Sequence, residues 1–122
     1  MLNMIPTNDK KLLDNMSNTI FSRPFKGDIG YVFYVDEKEV GFAKLNIGET
    51  SSIVAIGILP EFRKKGYGDF FTRSILFRLS QIAKIIKINY IDDYFLKFGF
   101  KNKVNYMEIE SKDLKFIDKN HC

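Results

Sequence analysis

The stretch from Ile53 to Ala83 constrains the fold most: an apolar run, a proline, a basic turn holding two glycines, and a run of helical period. The apolar residues of Ser52–Leu59 follow one another too closely for a strand with one wet face, so they predict a central strand buried on both sides. Pro60 ends it. From Asp69 to Ala83, Phe71, Ile75, Leu79 and Ile82 fall on one stripe, widened by Leu76 and Ala83, which predicts an amphipathic helix packed on the strand.

Between them stands Glu61-Phe-Arg-Lys-Lys-Gly-Tyr-Gly68. A helix leaves its first backbone N–H groups without acceptors, and two close glycines let the chain turn tightly while bringing those donors to a ligand. Arg63, Lys64 and Lys65 stand before the same turn, where the helix dipole also favours negative charge. The expected guest is a diphosphate. The competing reading is a plain strand-to-helix turn with glycines for sterics and cations for solubility.

The 122 residues suit one domain, residues 1–122, with a single core. With 45% hydrophobic and 28% charged residues, no apolar run of bilayer length and no leader-like N-terminus, the sequence predicts a cytoplasmic protein with no membrane partner. Cys122 is the only cysteine and the last residue, so no intrachain disulfide or cysteine metal cluster is available, and His121 beside it reads as a frayed tail; no metal site is expected. The net charge of +4 is modest, and a phosphate-bearing small molecule accounts for the one basic cluster without nucleic acid.

In chain order, Leu2–Ile5 predicts a short strand closed by Pro6, and Thr7 or Asn8 an N-cap for a helix to about Ile20, with Leu12, Leu13, Met16 and Ile20 on one face. Residues 21–28 read as loop. Ile29–Val35 and Val40–Ile47 predict an antiparallel hairpin around Asp36–Glu39, and Gly48–Ser51 turns into the central strand. After the helix, Lys84–Ile91 predicts a strand returning parallel to the central one. Asp92–Phe98 predicts a short helix stopped by Gly99, Lys103–Glu110 a further strand, and Leu114–Ile117 an edge strand.

With that order in place, the chain resembles the GNAT superfamily of acyl-coenzyme A-dependent N-acetyltransferases. The resemblance rests on Gly57-Ile-Leu-Pro60 followed by Arg63-Lys-Lys-Gly66-Tyr-Gly68, and on Tyr94-Phe95 followed by Gly99-Phe100. It implies an α/β fold: a mixed central sheet, with an antiparallel meander leading into a parallel pair of strands that splay apart, flanking helices, and a front end shortened to one strand and one helix. It further implies acetyl-CoA as co-substrate. Gly57, Ile58 and, weakly, Asn89 would meet the pantetheine arm, the N–H near Ile58 the thioester carbonyl, and the amides of Lys64, Lys65, Gly66, Tyr67, Gly68 and Asp69 the diphosphate. Arg63 and Arg73 are the cations expected near phosphate oxygens, with Asp69 capping the turn or pairing with Arg73.

The sequence departs from the family pattern at the catalytic positions. The usual glutamate position on the central strand is Ser52, leaving Glu49 as the nearest carboxylate, and the usual tyrosine acid position is Phe95, leaving Tyr94 and Tyr90 as candidates. The usual asparagine position falls on Ile88, beside Asn89. The leading reading is acetyl transfer from acetyl-CoA to an amine of a small molecule or peptide. The alternatives are a non-catalytic acyl-CoA-binding or regulatory module and, on charge alone, an adaptor. A homodimer is one way to close the acceptor side that the short front end leaves open.

Overall fold

A computed structural model describes residues 2–7, 9–21 and 29–115. Its elements are β1 (Leu2–Thr7), α1 (Lys10–Phe21), β2 (Ile29–Val35), β3 (Lys38–Asn46), β4 (Thr50–Ile58), α2 (Tyr67–Ser80), β5 (Ile85–Ile88), β6 (Lys101–Asn102) and β7 (Met107–Glu110). Short 3₁₀ segments follow β4, β5 and β7 at Pro60–Phe62, Asp93–Phe98 and Ser111–Asp113. The strands make one sheet in the order β1-β2-β3-β4-β5-β7-β6; only β4 and β5 run parallel. This is the mixed sheet expected, and one strand with one helix precede the hairpin.

Strand alternation divides the core between the two sheet faces. Phe33 stacks on Phe71 of α2 with ring centroids 4.1 Å apart, in the cluster that holds Ile75, Leu76, Leu79, Phe95 and Phe98. Its neighbour Val32 points the other way and packs with Phe42 and Met16 of α1. Burying each such side chain contributes about 1.5–3 kcal/mol. The α2 stripe is therefore the principal fastening of that helix to the sheet.

The element bounds differ from expectation where tertiary pairing overrides local pattern. β1 runs through Pro6 to Thr7, because at the sheet edge a residue without an N–H costs no ladder bond. Asp9 caps α1 by accepting the Leu12 N–H at 3.1 Å, with the Thr7 hydroxyl accepting from Asp9; Asn8, the loop residues 22–28 and the Leu13 side chain lie outside the described residues. α2 starts at Tyr67 and stops at Ser80, so Ile82, placed on the buried stripe by period alone, is 51% exposed. β5 ends at Ile88 rather than Ile91. Residues 103–106 are the turn between β6 and β7. Leu114 follows a 3₁₀ turn and packs on the core rather than forming an edge strand; Phe116 and Ile117, like His121 and Cys122, lie outside the described residues.

β4 also departs from the fully buried strand expected. Ser51, Ser52, Ile53 and Ile58 are buried, but Val54, Ala55, Ile56 and Gly57 are only half-buried. The ladder to β5 ends at Ile53↔Ile88, closed by the Asn89 N–H donating to the Ile53 carbonyl at 3.0 Å, while β4 continues to Ile58. On its other edge β4 carries a bulge, since Lys44 pairs with Ala55 and Leu45 with Ile53. A bulge sharpens the bend and twist of its strand. It falls where β5 stops following.

Candidate functional site

The splay leaves one edge of β4 unpaired, and strand geometry says which groups it presents. The Leu59 N–H donates to the Val40 carbonyl at 2.8 Å on the β3 side. One residue earlier the backbone groups point the opposite way, so Ile58 directs both its N–H and its C=O to the splayed side. The Ile58 carbonyl accepts from Arg63 Nε at 2.9 Å, which draws the arginine back against the strand end. Gly41 lets β3 lie close here: a Cβ on it would run into the Gly57 carbonyl oxygen and come within 2.7 Å of Ile58 Cδ1.

A cavity of about 280 Å³ fills the splay. β4 contributes Ile56, Gly57 and Ile58, and α2 contributes Gly68, Asp69 and Thr72. Tyr90, Asp92, Tyr94 and Phe95 form the far wall, with Phe33 at the floor. The basic turn leads directly into Gly68 and Asp69 of that wall. Lys64 and Gly66 both take left-handed backbone conformations, at φ 65° and 83°, and such a curl turns successive N–H groups toward one point. The first helical bond is Phe70 N–H to the Gly66 carbonyl, 3.1 Å, so the N–H groups just before Phe70 have no acceptor within the helix. A Cβ on Gly66 would meet nothing within 4 Å; the space above the turn is open. Lys64 and Lys65 are exposed beside it.

Asp69 ties α2 to the 3₁₀ segment after β5. Its carboxylate accepts from Arg73 Nε at 2.8 Å, from the Tyr94 hydroxyl at 2.6 Å and from Lys97 Nζ at 3.2 Å. Burial pushes the Asp69 carboxyl up, but the hydrogen bonds from Tyr94, Arg73 and Lys97 outweigh it and hold it down at about 2. Tyr94 is pushed well above an ordinary phenol, first by burial and then by donating to Asp69. Tyr90 is raised by burial, with the Asp92 charge adding to it. Both phenols therefore stay protonated throughout the neutral range. Lys97 Nζ also lies 4.1 Å from the Tyr94 ring centroid, closing the cluster from outside.

The structure brings together Gly57, Ile58, Gly68, Asp69, Tyr90 and Tyr94 around the cavity, with Arg63 on the Ile58 carbonyl, Lys64, Lys65, Gly66 and Tyr67 in the turn that leads into α2, and Arg73 on Asp69. Asn89 sits at the last rung of the parallel ladder with its side chain exposed. Glu49 does not join them. It precedes the first residue of β4, its carbonyl accepting from Lys84 and Ile85, and nine strand residues put it roughly 30 Å from Ile58. Ser52 lies near the same closed end, its hydroxyl accepting from Asn46 Nδ2.

Sequence reasoning missed Thr72 and Lys97. Lys97 had a signal, since a lysine three residues after Tyr94 in a tight helix returns to the same side. Asp92, the first residue of the short helix expected there, is its cap: its Oδ1 accepts the Tyr94 N–H at 2.9 Å. Its place on the cavity wall was not foreseen.

No protein-family description and no curated protein matches the sequence. Solved structures do match in shape. The ribosomal-protein-S18-alanine N-acetyltransferase of Escherichia coli superposes with a TM-score of 0.74 at 11% identity, over 98% of both chains. Naa50 of Arabidopsis thaliana, in complex with the bisubstrate analogue CoA-Ac-MVNAL, gives 0.74 at 14% identity over 89% of this chain and 98% of that one. A GNAT family acetyltransferase from Brucella melitensis in complex with acetyl-CoA gives 0.70 at 13% identity over 90% and 88%. The fold is that of the GNAT acetyltransferases. Among the described residues no helix is long and apolar enough to cross a membrane.

Proposed function

We propose that this GNAT-fold chain is an N-acetyltransferase that moves the acetyl group of acetyl-CoA to an amine of a small molecule or peptide by direct attack. The observation that carries the reading is the unpaired edge of β4 beyond Ile53, facing a cavity closed by the first turn of α2. An extended amide-bearing chain can pair with that edge as an added strand would, which fits a pantetheine arm at Gly57 and Ile58 with Asn89 at the far lip. The turn from Arg63 to Asp69 fits a diphosphate, with its unpaired N–H groups, Lys64 and Lys65 at hand and Arg73 behind Asp69. Acetyl-CoA supplies the activated acetyl thioester when bound.

On the protein side, the Ile58 N–H is a fixed donor for the carbonyl oxygen where negative charge develops, and one such donor contributes about 10²–10³ in rate. Tyr94 and Tyr90 hold protons on the cavity wall and can deliver one to the departing sulfur. Holding amine and thioester together supplies the rest. The peptide-bearing analogue bound by the Arabidopsis protein supports a peptide amine among the acceptors. The second reading, an acyl-CoA-binding module without turnover, is favoured by Phe95, buried at the family's tyrosine position, and by Glu49 at the wrong end of β4.

Calorimetric titration with acetyl-CoA, with dephospho-CoA as the control for the phosphate contribution, tests the site. Saturable binding is expected, followed by release of free thiol when an amine is added. No binding at millimolar ligand overturns the placement, and binding without thiol release for any amine leaves the binding module.

A further inference from the structure

Two carboxylates line the cavity, and they differ in what their oxygens hold. Both oxygens of Asp69 are taken, Oδ2 by Arg73 and Oδ1 by Tyr94 and Lys97. Asp92 uses one. Its Oδ1 accepts the Tyr94 N–H at 2.9 Å, and its own N–H donates to the Met107 sulfur of β7 at 3.5 Å, so backbone and side chain are fixed from two sides. Among the described residues no donor reaches Asp92 Oδ2, an acceptor with its lone pairs unused. The residue is exposed on the wall, so an incoming molecule meets this oxygen without displacing a protein contact. The charged and titratable groups around it are Asp93 and Tyr94 of its own segment, Tyr90 from the end of β5, and Asp69 of α2 with Arg73 and Lys97 upon it. Burial raises the Tyr90 phenol and the Asp92 charge adds to it, so this carboxylate acts on a proton donor of the same cavity.

We propose that Asp92 Oδ2 takes the proton from the acceptor amine while Oδ1 of the same side chain caps the segment that carries Tyr94. The inference rests on the transferase reading and gives that reaction its base, on the wall after β5 instead of on the central strand, where Ser52 stands at the closed end. A carboxylate is too weak to strip a free ammonium ion, but a nitrogen gains positive charge as it bonds to the acetyl carbon, and its N–H becomes acidic enough to pass to one. The nitrogen lone pair forms that bond, and the proton goes to Oδ2. The carbon–sulfur bond breaks with its electron pair going to sulfur, which takes a proton from a cavity phenol. Asp92 then returns its proton to the phenol through water. One amide and one thiol result, with no net proton and no further reactant. The fixed Oδ1 matters to this role, because a base held in one orientation loses no time to rotation when the amine arrives.

Two substitutions separate the base from the cap. Asparagine at 92 keeps an oxygen for the Tyr94 N–H and loses the basic one, and glycine opens room for a small carboxylate at a position where a helix start tolerates it. Thiol release is measured at saturating acetyl-CoA with two acceptors, a peptide that has a free N-terminus and a free lysine, and putrescine. Asp92→Asn should lose about 100-fold in kcat, with its acetyl-CoA affinity by calorimetry and its urea midpoint those of wild type. Asp92→Gly should fall as far, and about 0.2 M formate should restore roughly tenfold of it while leaving wild type unchanged. An Asp92→Asn rate within about threefold of wild type, a rate loss matched by an equal loss of acetyl-CoA affinity, or an Asp92→Gly rate that formate does not raise overturns this inference and leaves the transferase reading standing. Wild-type protein that binds acetyl-CoA and releases no thiol with either acceptor overturns the transferase reading and this inference with it.

Discussion

Replacing Asp69 with asparagine tests the clasp that holds the cavity wall to α2. The carboxyl is drawn down from 3.8 to about 2 by three hydrogen-bond donors that outweigh the opposing effect of burial. At 1.36 kcal/mol per unit, that difference corresponds to roughly 2.4 kcal/mol of folding free energy as a ceiling. The side chain is 43% exposed, so screening reduces the expected contribution to about 1 kcal/mol. Because the folded pKa is depressed, this stability is present above the unfolded value near 3.8 and is lost as pH falls through about 2. Urea melts of wild type and Asp69→Asn should differ by about 1 kcal/mol at pH 7 and pH 5, or roughly 4 °C in Tm, and converge between pH 4 and pH 2. A gap that does not change with pH would mean the loss is one of packing. Equal stability at pH 7 would mean that Tyr94, Arg73 and Lys97 contribute nothing through this carboxylate.

Three further substitutions separate the site from its scaffold. Gly66→Asn should fold within about 0.5 kcal/mol of wild type in urea, because asparagine tolerates the left-handed backbone, yet lose acetyl-CoA binding by calorimetry because its side chain enters the open space over the turn. Retained affinity would refute the diphosphate placement. Gly41→Ala should cost about 1–3 kcal/mol in the same melts and weaken binding, since the added Cβ strikes the backbone of Gly57 and displaces Ile58; a neutral result would contradict the strand spacing. Glu49→Gln should leave thiol release within about twofold of wild type, because the distal end of a strand cannot exchange protons directly with the splay. A tenfold loss would return Glu49 to the mechanism.

The hairpin, the central strand, the crossover helix and the parallel return were legible because each follows from hydrophobic period and turn chemistry. What local pattern could not supply was where pairing stops. Val54 to Gly57 are as apolar as Ile53, yet they are half-buried, because β5 pairs only through Ile88 and the bulge bends β4 away. That is a property of two strands seen together. Ile82 fails for the reverse reason: its period is right, but the helix has ended at Ser80 and the position faces solvent. The glycine turn was readable in part, since Gly66 takes the positive φ but α2 already begins at Tyr67 and takes in Gly68; the partners of Asp69 were likewise only half legible. The Arg73 bond follows from i,i+4 spacing, whereas Tyr94 and Lys97 arrive from 25 and 28 residues away.

The position of the phenol shows why motif alignment alone misjudges this site. On a regular α-helix one residue turns a side chain by about 100°, which would carry Tyr94 away from where a tyrosine at 95 would point. The segment is instead a 3₁₀ helix, begun abruptly by the Asp92 cap. Phe95 turns inward to 2% exposure, edge-on to Tyr90, Tyr94 and Phe100, while Tyr94 swings over α2 to Asp69. Both side chains line the same cavity, so a phenol is present there although the aligned position holds phenylalanine. The shift carries a chemical consequence. A tyrosine bonded to an ionised carboxylate keeps its proton more firmly and is a weaker acid, so Tyr94 can serve a leaving thiolate only by exchanging Asp69 for sulfur as its acceptor. Tyr90 is raised by burial and the Asp92 charge and faces the cavity from the end of β5. Under the transferase reading proposed above, an acid role for Tyr94 would couple the strength of the Asp69 cluster to the rate as well as to the fold, whereas the same role for Tyr90 would leave the clasp intact.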